Sequence, residues 1–278
     1  MGTCVYCKKP AGFLRRKHKE CKKKFETGIQ EIKLLVKSYP SNNIDIEELK
    51  SQIRRIAEDS YIDEVNLEKI IYESSKLAVE QAFEDGILTE QEEKRLLEII
   101  NLLNFDQEKL KSDPLYIKIV KGAIIRELLE GKIPQRLTII GNLSFNLQKS
   151  EQPIWLFQNV KYYEMRTYTK YVGGYQSVSF RIAKGVYYRI GGFKGNPVLT
   201  NKMTYIDTGM LLVTDKHVYF GGNLKSFRIK YDKIVSYRGY KDGIEIQRDS
   251  LTAKPQIFRV DDGWFITNLI ANLTKLST

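Results

Sequence analysis

The chain has 278 residues, long enough for two ordinary domains, or three if one is held together by metal. An apolar fraction of 42% with 11% aromatics excludes an extended disordered chain, which would carry fewer aromatics and less balanced charge. The formal net charge of +11, from 45 Lys plus Arg against 34 Asp plus Glu, points toward anionic partners (nucleic acid, a membrane surface or an acidic protein) without choosing among them.

No apolar run reaches the ~20 residues that span a bilayer. The opening MGTCVYCKKP has no apolar stretch of the secretory kind. All three cysteines stand near the N-terminus, so none is left for a disulfide framework. The expected location is the cytoplasm.

The first motif in chain order is Cys4-x2-Cys7, then ten residues, then His18-x2-Cys21. Two thiolates separated by two residues grip one ion from a tight knuckle. Pro10 and Gly12 mark a turn, after which FLRRKHKECKKKF reads as a helix placing His18 and Cys21 on one face. Four nitrogen and sulfur donors with no open position describe a closed, structural, tetrahedral site, so Zn2+ is the expected cofactor. The alternative is a group of solvated thiols. The arrangement resembles a treble-clef or zinc-ribbon finger of the C-C-H-C kind, expected over residues 1–25. Basic residues surround it, among them Arg15, Arg16 and Lys17. They either dock on nucleic-acid phosphates or offset the negative charge of three thiolates on one divalent ion.

Residues 26–133 read as an all-α region. EIKLLVKSY ends at Pro40 and Ser41. IDIEELKSQIRRIAEDS places Ile46, Leu49, Ile53 and Ile56 on one stripe. NLEKIIYESSKLAVEQAFEDG, LTEQEEKRLLEIINLLNF and PLYIKIVKGAIIRELLEG follow, with Thr89 and Glu92 spaced as a capping box after an Asp85-Gly86 turn. The stretch AFEDGILTEQEEKRLLEIINLLNF resembles the TerB-like family of tellurite resistance. That resemblance implies a helical bundle and links Glu84, Asp85, Glu90 and Glu93 to metal binding. The oxygen-ligand alternation of an EF-hand is missing. The same acids also read as ordinary helix-capping charges.

Near Pro134 the pattern changes. Residues 134–152 read as a linker, and residues 153–278 as short antiparallel strands closed by one amphipathic helix, DGWFITNLIANLTKL. Expected turns fall at Gly173-Gly174, Lys184-Gly185, Gly191-Gly192, Asp207-Thr208-Gly209, Gly221-Gly222 and Asp242-Gly243. The expected fold is a small β-barrel or sandwich plugged by the helix. The run GMLLVTDKHVYFGG, then SFRIKYDKIVSY, then DGIEI is similar to bacterial pleckstrin-homology-like (GRAM-like) domains, with His217 where that family often has Arg. The resemblance implies an adaptor that binds anionic lipid or protein. Arg166, Lys170, Arg181, Lys184, Arg189 and Lys194 are then the candidate anion-binding cations. Alternatively, they solvate outer strand faces.

VGGYQS and IGGFKG lack the G-K-[ST] of phosphate loops. His217 beside Asp215 has no nucleophile elbow to serve. No catalytic residue and no small-molecule substrate are therefore expected. The reading is a multidomain, non-enzymatic cytoplasmic adaptor, peripheral at the inner face of a membrane or bound to a protein, with a stress or defence role implied by the TerB-like resemblance alone. The alternative is a nucleic-acid-binding regulator that uses the basic finger.

Overall fold

The structure, a computed structural model, describes all residues except 1, 14, 85, 104, 138–144, 184–185, 251–252 and 278; for 171–183 and 186–199 it describes the backbone only. It is a mixed helical and β architecture that divides into two compact units, Met1–Arg136 and Leu137–Thr278.

In the first unit, β1 (Gly2–Thr3) and β2 (Pro10–Gly12) form a small antiparallel pair. Six α-helices follow among the described residues: α1 (Lys19–Ser38), α2 (Ile46–Asp59), α3 (Glu64–Ala82), α4 (Glu90–Asn101), α5 (Gln107–Ser112) and α6 (Pro114–Leu129). Side-chain caps set where several begin. Asp45 accepts the Glu48 N–H, Asp63 the Asn66 N–H and Asp106 the Lys109 N–H. Thr89 and Glu92 form the full capping box that their spacing predicts. Ile32, Val36, Leu49, Ile53, Leu96, Ile99 and Ile119 fill one shared core. α5 buries no residue, so it leaves no apolar stripe to read from sequence.

Helix α1 crosses residue 25 without a break, so the expected finger and the bundle share one helix. Its start corrects the sequence reading: α1 begins at Lys19, with His18 as the N-cap. Arg15, Arg16 and Lys17 therefore precede the helix instead of lining it.

The second unit holds β3 (Pro153–Ala183), β4 (Val186–Thr214), β5 (His217–Gly222), β6 (Ser226–Lys230), β7 (Ile234–Tyr240), β8 (Gly243–Arg248), β9 (Gln256–Arg259) and α7 (Gly263–Leu276). The strands make one antiparallel sheet of seven in the order β6-β5-β4-β3-β9-β8-β7. The expected barrel does not close: among the described residues β6 and β7 are unpaired edges. A 3-10 turn, Tyr231–Lys233, joins these two edges, so the sheet curls until they meet at one corner without forming a ladder. α7 lays Phe265, Ile266, Leu269, Ile270 and Leu273 against the region of β7 and β8.

Three expected turns are overruled. Gly173-Gly174 lies inside β3, and Gly191-Gly192 and Asp207-Thr208-Gly209 lie inside β4. In the ladder Gly173 faces Gly195, Gly191 faces Ser177 and Gly209 faces Val160. The expected turn at Lys184-Gly185 lies outside the described residues. From Arg166 to Ala183 and from Val186 to Lys202, the two strands pair, among the described residues, only with each other, as a two-stranded ribbon.

Candidate metal centre

Local backbone geometry builds this site. The Lys8 N–H donates to the Cys4 carbonyl (3.0 Å), and the Cys4 N–H donates to the Lys9 carbonyl (2.9 Å), folding Cys4–Lys9 into a knuckle. Lys8 takes a left-handed conformation (φ 59) to close it, and its ammonium returns to the Val5 carbonyl. The Val5 N–H then donates to the Arg16 carbonyl at 2.9 Å, which lays the segment before α1 beside the knuckle. Gly2 is required at this crossing, because a Cβ there would lie 2.0 Å from the Arg15 carbonyl oxygen.

His18 at the N-cap position and Cys21 in the first turn of α1 meet at the helix start, with no side-chain cap hydrogen bond from His18. The Cys7 and Cys21 sulfurs lie 3.4 and 3.6 Å from His18 Nδ1. All four donor atoms fall within 4.8 Å of one another. A tetrahedral ion with bonds of ~2.3 Å to sulfur and ~2.0 Å to nitrogen needs edges of roughly 3.5–3.8 Å. Cys4, Cys7, His18 and Cys21 can therefore hold a metal ion. His18 Nε2 stands 3.1 Å from the Pro10 carbonyl. That contact makes Nε2 the donor and leaves the Nδ1 lone pair toward the sulfurs.

The electrostatics call for a cation. Burial opposes ionisation of Cys4, but backbone N–H groups of His18, Cys7 and Tyr6 outweigh it and bring the thiol down to about 6. Cys7 is lowered chiefly by the Lys9 N–H. Cys21 moves the other way, up to about 11, through burial and then the neighbouring Cys7 and Cys4 sulfurs. The Cys7 sulfur and the Pro10 carbonyl raise His18. Three thiolates crowded together repel, and a divalent ion removes that repulsion. The positive end of the α1 dipole adds to the same effect. Tyr61, at φ 58 between α2 and α3, senses the site too: the negative charge of Cys21 is the first cause raising its phenol.

The acids singled out by the TerB-like resemblance form no second centre among the described residues. Glu93 is buried, with one carboxylate oxygen 2.7 Å from Arg126 and the other 2.6 Å from Arg136. Glu84 and Glu90 are exposed, and Asp85 lies outside the described residues. The candidate anion-binding residues are placed as follows. Arg15, Arg16 and Lys17 are exposed on the segment before α1. Arg166 and Lys170 are exposed where the ribbon begins, with Arg166 3.5 Å from Glu164. Arg181, Arg189 and Lys194 are spread along the ribbon opposite Tyr187, Ser179 and Gly174. Their side chains, and Lys184 altogether, lie outside the described residues.

Sequence reasoning missed the partner of His217. It is Glu151, whose buried carboxylate sits 3.0 Å from His217 Nδ1. The same carboxylate accepts from Thr214 (2.6 Å), Tyr219 (2.8 Å) and the Gln148 N–H (2.8 Å). Sixty-odd residues of intervening chain gave no signal for this pairing. No helix among the described residues is long and apolar enough to cross a membrane. The chain matches no protein-family profile, no curated protein and no solved structure.

Proposed function

We propose that the chain is a non-enzymatic adaptor with a structural zinc site, whose β unit engages an anionic membrane surface or an acidic protein through the β3–β4 ribbon. The ribbon is the observation that carries this reading. It pairs only within itself from Arg166 to Ala183 and from Val186 to Lys202, and Arg166, Lys170, Arg181, Arg189 and Lys194 lie along it. A two-stranded ladder is marginal alone in water and gains from a partner surface. Each cation near an anionic leaflet contributes ~1 kcal/mol, so several give salt-sensitive binding.

Three sulfurs and one nitrogen within 4.8 Å of one another favour Zn2+ in a closed, non-catalytic role. Seven antiparallel strands followed by one amphipathic helix support the pleckstrin-homology-like reading. The capping box after Gly86 supports the TerB-like one, and with it a place in a stress or defence response. His217 serves structure in this reading, because Glu151 is already filled by four donors.

The test is flotation of the purified chain with anionic and neutral vesicles, at low and high salt, with duplex DNA as competitor. Flotation with anionic vesicles only, weakened by salt, resistant to DNA and lost in Arg181→Gln/Arg189→Gln, is the expected result. Flotation abolished by DNA, and restored in that competition by Arg15→Gln/Arg16→Gln/Lys17→Gln, transfers the function to nucleic acid. Those three side chains are exposed beside the metal centre, which is the observation behind that second reading.

A further inference from the structure

A second candidate site lies in the β unit, apart from the cations on which the adaptor reading rests. A cavity of about 330 Å³ opens between β3, the turn before β7 and the β8–β9 connection. Three cations line it, Lys233, Arg248 and Lys254, together with the carboxylates of Glu164 and Asp249. Glu164 is already offset by Arg166 at 3.5 Å. No ion pair joins Lys233, Arg248 or Lys254 to a carboxylate among the described residues. Positive charge is therefore in excess.

Two atoms here lack partners. Arg248 Nε is buried and donates to nothing, and Gln256 Oε1 is buried and accepts from nothing. Gln256 is 4% exposed. Its amide nitrogen is fixed by donating to the Tyr162 hydroxyl at 2.8 Å, and that hydroxyl donates to Glu164 at 2.9 Å. This chain sets the orientation of the amide, so its oxygen cannot be relieved by a flip without leaving the Tyr162 oxygen unpaired. Native chains rarely leave such groups unmade, and each one calls for an explanation.

We propose that this cavity binds a phosphorylated polyol. The guanidinium of Arg248 and the ammonium groups of Lys233 and Lys254 take the phosphate oxygens, as charge-assisted hydrogen bonds. The oxygen of Gln256 accepts only and is without a donor, so it calls for a hydroxyl beside the phosphate, and the Asp249 carboxylate can accept from a second one. Bare phosphate supplies the first half of this set, and a neutral polyol the second. The same chemistry occurs in a soluble sugar or glycerol phosphate and in a phosphoglycerol lipid headgroup.

The experiment titrates the metal-loaded full chain with sn-glycerol 3-phosphate by calorimetry, with sulfate and glycerol as controls. A separate arm uses phosphatidylglycerol vesicles against phosphatidylcholine. Saturable binding of glycerol 3-phosphate, tighter than sulfate and weakened at least about tenfold in Arg248→Gln, is expected. Lys254→Ala, an exposed change that leaves the fold intact, weakens it too. Competition between glycerol 3-phosphate and phosphatidylglycerol vesicles assigns the headgroup as the source, and its absence assigns the soluble ester. No saturable binding, binding no tighter than sulfate, or binding indifferent to both substitutions overturns the proposal. The ribbon variants Arg181→Gln/Arg189→Gln leave this titration unchanged, so the two readings fail separately.

Discussion

Glu151 shows what one buried carboxylate does when its donors are supplied. Burial alone would raise its pKa, but Thr214, the Gln148 N–H, Tyr219 and His217 together hold it below the ordinary glutamate range. A folded-state pKa below the unfolded one contributes stability that is fully present above the unfolded value, and is lost as pH falls through the folded one. The acid limb of unfolding for the β unit, below about pH 4.5, therefore belongs in part to this residue. Glu151→Gln keeps the shape but puts an amide where two oxygens accepted. It should cost about 2 kcal/mol at pH 7, the scale of hydrogen bonds to a charge left unmade. The cost should shrink as the pH falls below the unfolded glutamate value and on through the depressed folded one, where wild type also loses the charge. Urea unfolding followed across pH reads this, and parallel curves for the two proteins would show that Glu151 carries no pH-dependent share. Asp207 plays a similar part on a smaller scale. Read from sequence as a turn residue, it lies in β4 and accepts the Leu224, Lys225 and Thr208 N–H groups.

Among the elements, legibility follows how local the cause is. All the helices but α5 were legible from their stripes, and Thr89 begins α4 where its spacing from Glu92 places it; the caps Asp45 and Asp63 emerge from the structure. That Cys4, Cys7, His18 and Cys21 come together was legible from spacing alone, whereas their mounting was not. Basic residues after Gly12 look helical, yet Val5 draws the Arg16 carbonyl out of any helix and delays α1 to Lys19. Strand ends were least legible, because glycine pairs that elsewhere make turns here run on within the β3–β4 ladder. Long-range pairs such as Glu151 with His217 or Glu93 with Arg136 leave no periodic trace at all. Helix packing adds a test at this scale. Gly28 lets α1 approach the end of α2 so closely that a Cβ would lie 2.2 Å from Ser60 Oγ and 2.4 Å from Ser60 Cβ. Alanine is the better helix former by ~1 kcal/mol. Ser60 is buried, however, and cannot give way freely. Gly28→Ala should therefore lower the stability of the helical unit by about 1–2 kcal/mol net, as overpacking does. Thermal unfolding followed by circular dichroism at 222 nm decides it, and a raised midpoint would mean that Ser60 turns aside.

The molecule as a whole has two units, each with its own core, and the four candidate metal-holding residues belong to only one of them. Within that unit the ion would sit at the start of α1, the helix that also brings Ile32 and Val36 to the core. Loss of the ion should therefore reach past the knuckle. Uncompensated, Cys4, Cys7 and Cys21 either repel as thiolates or take up protons, and the start of α1 frays. The expected outcome is one zinc per chain by elemental analysis, and none in Cys21→Ser. After chelation, residues 1–25 should become open to protease, and the helical unit should melt several degrees lower. The β unit has no ligand in the centre, so its unfolding, followed by Trp155 and Trp264 fluorescence, should keep its midpoint. Both transitions moving together would make the chain one cooperative body. Neither moving, with zinc removed, would leave the centre as a bystander to the fold. The first unit moving alone is what a staple at the head of α1 requires.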